Sequence, residues 1–146
     1  MMDVQYSCVY IKLIHDKLER DANQLLKSMD VTFVQSRVLA WLWHKGGRAT
    51  QPEIEEYLGV SHPTVVGILK RLGAKGFIEF QTDLQNRRIK VVCLRKKEAS
   101  FFRKMLSHQQ DTEERALHAL SPEERETLRH LLKRVYASLS EGETNV

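Results

Sequence analysis

Apolar residues recur every three to four positions at both ends of the chain, which is the period of an amphipathic helix. At the start, the pattern predicts one long helix from about Val4 to Ser28, with an apolar face that includes Val9, Leu13, Leu18 and Leu25. At the end, it predicts a helix over 98–120 and a last helix from the capping box at Ser121 to Leu139. Nothing else in the sequence is left over to cover these long apolar faces.

Sequence signals for helix starts predict two shorter helices in the middle of the chain. Thr32 is followed three residues later by Gln35, and Thr50 is followed at the same spacing by Glu53. In each pair, both side chains can bond backbone N–H groups at a helix start, which is the capping-box pattern. We expect the two helices to end near Gly46-Gly47 and at Gly59, because glycine readily adopts the left-handed conformation that stops a helix.

A tight turn, Leu58-Gly59-Val60-Ser61, leads from the second of these helices into a third, expected over residues 61–75 and capped by Ser61. The predicted buried stripe of this third helix consists of Val65, Ile68, Leu69 and Leu72. The residues then left facing outward are Pro63, Thr64, Gly67, Lys70 and Arg71. Two short helices joined in this way form a helix-turn-helix, whose second helix can enter the major groove of DNA.

After the third helix, the apolar pattern changes to the partial alternation of strands. The runs 77–81 and 89–94 are rich in β-branched and aromatic residues, and the polar stretch 82–88 lies between them. We therefore expect a hairpin with a long basic tip, placed as the wing of a winged helix-turn-helix. The predicted fold is mainly α with a small two- to three-stranded β wing. It forms a single domain over 1–146, with a winged lobe over 32–94.

Positive charge is concentrated around this predicted wing. The net charge is +4, and residues 87–104 contain eight Lys and Arg against one acid, Glu98. Arginine suits the narrow, negative minor groove, so Arg87 and Arg88 at the tip predict a minor-groove contact. The residues that we expect to contact double-stranded DNA are Ser61, His62, Pro63, Thr64, Gly67, Lys70, Arg71, Arg87, Arg88 and Lys90.

The residues alone leave other classes of function open. Helix-turn-helix units also serve as protein-interaction modules, although such modules need no paired arginines at a wing tip. The basic residues at 87–88 and 95–97 also fit a solvated surface. No Ser/His/Asp or Cys/His arrangement and no phosphate-binding glycine loop is legible, so an enzyme is not expected. The six histidines show no paired ligand spacing with Cys or acids, so neither a metal nor a cofactor is predicted.

Four segments of the sequence resemble the MarR family of regulators: 58–65, 69–72, 75–78 and 83–88. The resemblance extends over about residues 6–139. It implies a homodimer held by the terminal helices, here 4–28 and 98–139, and a pseudo-palindromic operator. It also implies repression relieved by a small phenolic or anionic ligand or by thiol oxidation, and it places minor-groove insertion on Arg88.

The sequence departs from the family pattern at two positions. Asn86 replaces the usual second aspartate of the wing, and an amide accepts a hydrogen bond but supplies no ion pair, which predicts a looser wing. Arg95 stands where the family usually has a threonine. Because arginine cannot cap a helix as threonine does, the start of the next helix is left undefined.

A ligand pocket is expected near His15, Trp41 or Trp43, and the two tryptophans are expected to line a core or pocket rather than to stack on bases. Cys8 is expected to be a buried or interfacial structural cysteine in preference to a redox sensor. Cys93 is expected to be a packing residue. The N-terminus does not resemble a signal peptide, and the longest apolar run, 38–43, is too short to cross a bilayer. We therefore expect a bacterial cytoplasmic protein with no membrane partner.

Overall fold

The computed structural model describes residues 5–95 and 98–142, which form six α-helices and three strands within those ranges. In chain order these are α1 (Ser7–Leu26), α2 (Phe33–His44), β1 (Arg48–Thr50), α3 (Gln51–Leu58), α4 (His62–Ala74), β2 (Ile78–Thr82), β3 (Lys90–Leu94), α5 (Ala99–Leu117) and α6 (Pro122–Gly142). The mainly α fold with a small sheet is confirmed. The predicted start of the first helix at Val4 lies outside the described residues.

The connection after α1 is a short 3-10 helix, Lys27–Met29, and not a continuation of α1 to Ser28. Asp30 follows in the left-handed conformation, with φ of 57°, and ends the helical path. Asp30 is the one residue other than glycine with positive φ among the residues described. The chain therefore turns sharply between α1 and α2.

Both capping boxes predicted in the middle of the chain are formed. Thr32 Oγ1 accepts a bond from Gln35 N at 3.3 Å, and Gln35 Oε1 accepts one from Thr32 N at 3.1 Å. Glu53 Oε2 likewise accepts from Thr50 N at 2.8 Å, and this bond lowers the pKa of the Glu53 carboxyl. The start of α2 and that of α3 are thus fixed by bonds between residues only three positions apart.

Ser61 occupies the predicted position before α4, but the prediction that its side chain caps the helix is wrong. Its hydroxyl shares a hydrogen bond with Thr64 Oγ1 at 2.8 Å and makes no capping bond to the backbone. Both hydroxyls are exposed, and the backbone closes the first turn of α4 through Val65 N, which donates to Ser61 O at 3.1 Å. The helix ends at Ala74, one residue before the predicted limit, with Lys75 as its C-cap.

The sheet is antiparallel with the strand order β1-β3-β2. The hairpin of β2 and β3 is confirmed, with Phe80 opposite Val92. The third strand is β1, whose Ala49 also lies opposite Val92, on the other side of β3. This strand lies before α3, so it connects the hairpin to the helical part of the lobe.

One apolar core joins α1, α2, α3, α4, the sheet and the start of α5. Its most buried side chains include Leu39, Leu42, Ile54, Leu69, Leu72, Val92, Phe102 and Met105. The start of α5 enters this core although Arg95 provides no cap: the N–H groups of Phe101 and Phe102 bond the carbonyl of Glu98. Residues 96 and 97 lie outside the described residues.

The chain divides into two compact units between Gln109 and Gln110, within α5. In the second unit, Arg125 makes two bonds to the Glu114 carboxylate, at 2.9 and 3.0 Å. The predicted box at Ser121 is also formed, with Glu124 N donating to Ser121 Oγ at 3.2 Å. Of the helices within the described ranges, none combines the length and apolar character needed to cross a membrane.

Candidate nucleic-acid interface

Helix α4 turns the predicted apolar stripe inward. Val65, Ile68, Leu69 and Leu72 are each at most 4% exposed and pack in the core. The turn before α4 contains Gly59 with φ of 63°, a conformation that costs glycine little. The buried stripe and the turn together fix which face of α4 points to solvent.

The outward face of α4 carries polar, basic and small residues. His62, Pro63, Thr64, Lys70 and Arg71 are exposed, as the pattern predicted. Gly67 is half-buried because the Arg71 guanidinium lies about 4.0 Å from the place where its Cβ would be. Sequence reasoning missed Val66, which is 41% exposed on this helix. The signal was an apolar side chain among polar ones, which the sequence prediction did not consider as a DNA contact.

His62, the first residue of α4, is bonded to the preceding helix. Its Nδ1 lies within short hydrogen-bond distance of Glu55 Oε1. Gln51 Nε2 donates to the same Glu55 oxygen at 3.2 Å. The bonds from Gln51 and then from His62 lower the pKa of the Glu55 carboxyl. This contact between α3 and α4 positions the N-terminus of the second helix.

The tip of the hairpin is ordered by two short polar side chains. Asp83 Oδ1 accepts bonds from Gln85 N at 2.7 Å and Asn86 N at 3.0 Å. These bonds to Asn86 and Gln85 lower the pKa of the Asp83 carboxyl. Asn86 Oδ1 in turn accepts a bond from Arg88 N at 3.1 Å. The amide thus fixes the backbone beside the arginine without an ion pair.

The side chains at the tip point into solvent. Arg87 and Arg88 are exposed, and Leu84 is 95% exposed. At the base of the hairpin, the Lys90 ammonium lies 5.5 Å from the centre of the Phe80 ring. A Cβ on Gly73 of α4 would lie 3.2 Å from Phe80 Cε2. Strand β2, which carries Phe80, therefore packs closely on α4 at Gly73, near the C-terminal end of that helix.

The three residues predicted near a ligand pocket have three different sets of partners. His15 is exposed, with its ring edge toward Phe33 at 6.4 Å between centroids. Trp41 stacks on Tyr57 at 4.9 Å, and Trp43 stacks on Phe102 at 4.3 Å. None of the three lines the cavity described next, and their role in ligand binding stays a prediction.

A cavity of about 590 Å³ lies between the end of α1, the start of α2 and the C-terminal half of α4. Three basic side chains line it, Lys27, Arg71 and Lys75, together with Glu19 and Asp30. Lys75 Nζ donates to the Asp30 carbonyl at 2.7 Å and to Gln35 Oε1 at 3.1 Å. The wall of the cavity thus includes a bonded link from α4 to the α1–α2 connection.

One histidine has the acidic neighbours that the sequence was expected to lack. Ligand atoms of His15, Asp16 and Glu19 all lie within 4.8 Å of one another on α1. Lys12 Nζ already pairs with Asp16 at 2.8 Å, and this bond, with a smaller one from His15, lowers the pKa of the Asp16 carboxyl. The lysine supplies the positive charge that a cation would otherwise bring.

The two cysteines differ in exposure. Cys93 is buried in β3, which confirms it as a packing residue. Cys8 is exposed on α1, so a buried position is wrong for the single chain, while an interfacial one stays a prediction.

Comparison with known proteins points to one family. A model of the MarR family matches residues 29–89, from the α1–α2 connection to the end of the wing tip. The uncharacterized HTH-type transcriptional regulator YybA of Bacillus subtilis is 29% identical over 125 residues, which is 86% of this chain and 83% of YybA. In three dimensions, the chain resembles S. aureus MepR in complex with DNA. That likeness has a TM-score of 0.83 and 27% identity, and it covers 94% of this chain and 99% of MepR.

The chain is similar to proteins of the MarR family in sequence and in fold. It is also similar to a mutant of E. coli MarR complexed with operator DNA, with a TM-score of 0.77 and 27% identity over 86% of this chain and 90% of that one. Of these similar proteins, YybA is described as a transcriptional regulator, and MepR and MarR are solved in complex with DNA. The winged helix-turn-helix predicted from the sequence is the fold of this chain.

Proposed function

We propose that this protein is a MarR family regulator that binds a pseudo-palindromic operator in double-stranded DNA as a homodimer, and that a small anionic ligand releases it. The observation that carries the proposal is the outward face of α4. That face bears polar and basic residues while the opposite face is fully buried, and the wing with its two exposed arginines packs directly against the same helix.

In this proposal, α4 is the recognition helix and lies in the major groove. Its N-terminal residues, Ser61 to Thr64 with Val66, approach base edges, because the first turns of a recognition helix reach deepest. Lys70 and Arg71 follow further along the helix and reach phosphates. The Arg71 guanidinium lies over Gly67, about 4.0 Å from the place where a Cβ would be.

The wing, residues 82–88, contacts the flanking minor groove. Arg88 is the main probe, with Arg87 beside it, because a guanidinium is attracted by the negative potential of a narrow minor groove. Lys90, at the base of the hairpin, is placed to contact a phosphate. The bonds of Asp83 and Asn86 support this role because they order the backbone that carries both arginines.

A second copy of the chain covers the apolar faces of the terminal helices. Helix α1 exposes Val9, Tyr10, Ile11, Leu13 and Ile14, each at least 40%. In the second unit, α6 exposes a stripe at helical spacing that consists of Leu131, Leu132, Val135 and Leu139. Faces of this kind mark interaction surfaces, and a homodimer would bring two reading helices to the two halves of a palindrome.

The dimer is tested by placing a charge in the α6 stripe. Val135→Asp should shift the protein from dimer to monomer in light scattering and abolish tight operator binding. Lys133→Asp introduces the same residue at a different position of the helix and should leave the dimer intact. A wild-type protein that is monomeric at micromolar concentration would contradict this part of the proposal.

The cavity beside α4 is the site that we propose for the effector. Lys27, Arg71 and Lys75 offer three positive charges to an anionic or phenolic ligand. A ligand that bonded Lys75 would compete with its bonds to Asp30 and Gln35 and would move the end of the recognition helix. In this proposal the protein acts as a repressor in the bacterial cytoplasm, which contains the operator DNA.

The function is tested by selecting bound fragments from a random or genomic DNA pool and measuring their affinity by fluorescence anisotropy. We expect binding in the nanomolar range that weakens steeply with salt, since neutralised phosphates release counterions. Thr64→Ala should change base preference at one position of each half-site. Failure to retain any duplex, or binding that is independent of salt, would overturn the proposal.

A further inference from the structure

We propose that Leu84 is an apolar DNA contact of the wing and packs against the sugar walls of the minor groove beside Arg88. The inference rests on the proposed function and adds to it a residue that carries no charge. In this inference, the wing tip contacts DNA through one apolar side chain and two cationic ones.

The position of Leu84 is the first observation. Its side chain is 95% exposed, more than that of any other large apolar residue among those described. It stands at the extremity of the hairpin, in the same tip as Arg87 and Arg88. An apolar side chain fixed there gains nothing from the fold, since it touches no core, and its exposed surface is available to a partner.

The second observation is that the tip backbone is held in place. Asp83 Oδ1 bonds the N–H groups of the two residues that follow Leu84, at 2.7 and 3.0 Å. The tip is closed by Asp83 N donating to Ile89 O at 3.1 Å and by Ile89 N donating to Asn86 O at 3.0 Å. Leu84 is therefore presented from a constrained turn, and little backbone entropy is lost when it meets a partner.

The chemistry of the tip favours DNA over an apolar protein surface as that partner. The two arginines next to Leu84 suit a polyanion, and the Asp83 carboxylate is turned inward to backbone N–H groups. Proteins that bind the minor groove combine cationic or polar side chains with apolar ones that insert between base steps. Leucine is one of the residues used in this way.

The test separates the apolar contact from the charged one through salt dependence. Operator affinity is measured by anisotropy at several salt concentrations for the wild type, Leu84→Ala, Leu84→Met, Arg88→Ala and the control Gln81→Ala, an exposed position of β2 outside the proposed contacts. Leu84→Ala should weaken binding about tenfold at every salt concentration, because the variant loses the burial of the leucine side chain while every phosphate contact stays the same. Leu84→Met should retain most of the affinity, and Gln81→Ala should behave as the wild type.

The outcomes distinguish the inference from the function on which it rests. If the wild type binds its selected operator and Leu84→Ala binds within about twofold of it, a change too small for a buried leucine, the inference is overturned and the proposed function stands. A weakened Leu84→Ala variant with a shallower salt dependence would also overturn it, because the effect would then come from displaced arginines. If the wild type binds no duplex, both fail. Unchanged thermal unfolding of Leu84→Ala confirms that the fold is not the cause.

Discussion

Helix α4, the proposed recognition helix, and the wing tip are positioned by opposite means. Helix α4 is held by four apolar side chains that are at most 4% exposed, so its orientation depends on the stability of the whole lobe. The wing tip, residues 83–88, has no buried side chain and is held by hydrogen bonds from Asp83 and Asn86 to its own backbone. Substitutions in the first region should therefore act through folding, and substitutions in the second should act on DNA binding alone.

The largest expected effect comes from a cavity under the recognition helix. Leu69→Ala should lower the free energy of unfolding by about 2–5 kcal/mol, because a fully buried leucine is removed from a packed core. DNA binding should be lost in parallel with folding. Urea denaturation measures the change, and Val66→Ala on the exposed side of α4 is the control, with an expected change within about 0.5 kcal/mol. Equal destabilisation by both variants would contradict the comparison.

Removing the probe of the wing should weaken binding without affecting the fold. For Arg88→Ala we expect about tenfold weaker operator binding and a salt dependence that is shallower by about one ion. The thermal unfolding midpoint should stay the same, since the side chain is exposed. A loss of affinity with the same salt dependence as the wild type would mean that Arg88 does not neutralise a DNA phosphate.

The contact between the two regions can be tested at Gly73. A Cβ there would lie 3.2 Å from Phe80 Cε2, so Gly73→Ala should displace the wing strand relative to α4. We expect affinity to fall about threefold with little loss of stability, because alanine also favours the helix. Adding Phe80→Leu should restore binding by making room. If the double variant binds no better than Gly73→Ala, the packing does not align the wing.

The smallest effect is expected at Asp83, where the tip is ordered but nothing is buried. Asp83→Ala removes the acceptor of two backbone bonds, so the amide signals of Gln85 and Asn86 in NMR spectra should broaden or shift while the unfolding midpoint is unchanged. Because the folded carboxyl has a pKa below its usual value of 3.8, the bonds are present above that value and are lost as the pH falls through the lowered pKa. Amide signals that move instead near neutral pH would contradict this assignment.

Local signals in the sequence predicted the helices well. The capping boxes at Thr32 and Thr50 depend on residues three positions apart, so their geometry follows from the sequence itself. The helix expected between the Thr50 box and Gly59 is α3, Gln51–Leu58, with Thr50 as its N-cap and Gly59 as its C-cap. Strand β1 has three residues, which is too short to show alternation, and it became visible only through its pairing with β3.

The parts of the site that sequence reasoning missed depend on distant contacts or on single residues. Leu84 is an isolated apolar residue in a loop, where no period exists to mark it. The cavity beside α4 is closed by bonds from Lys75 to Asp30 and Gln35, which are 45 and 40 positions away in the chain. Aromatic residues in α2 drew the prediction instead, but stacking on Tyr57 and Phe102 already occupies one face of each tryptophan.

The double role of Gln35 limits how this regulator can be re-engineered. Its buried side-chain oxygen accepts both the Thr32 N–H that starts α2 and the Lys75 ammonium that ends α4. A recognition helix transplanted from a relative will keep its docking angle only if position 75 remains a lysine. A graft that extends past Ala74 and replaces that lysine would leave the Gln35 oxygen with one of its two donors, and the new helix without its bond to the α1–α2 connection.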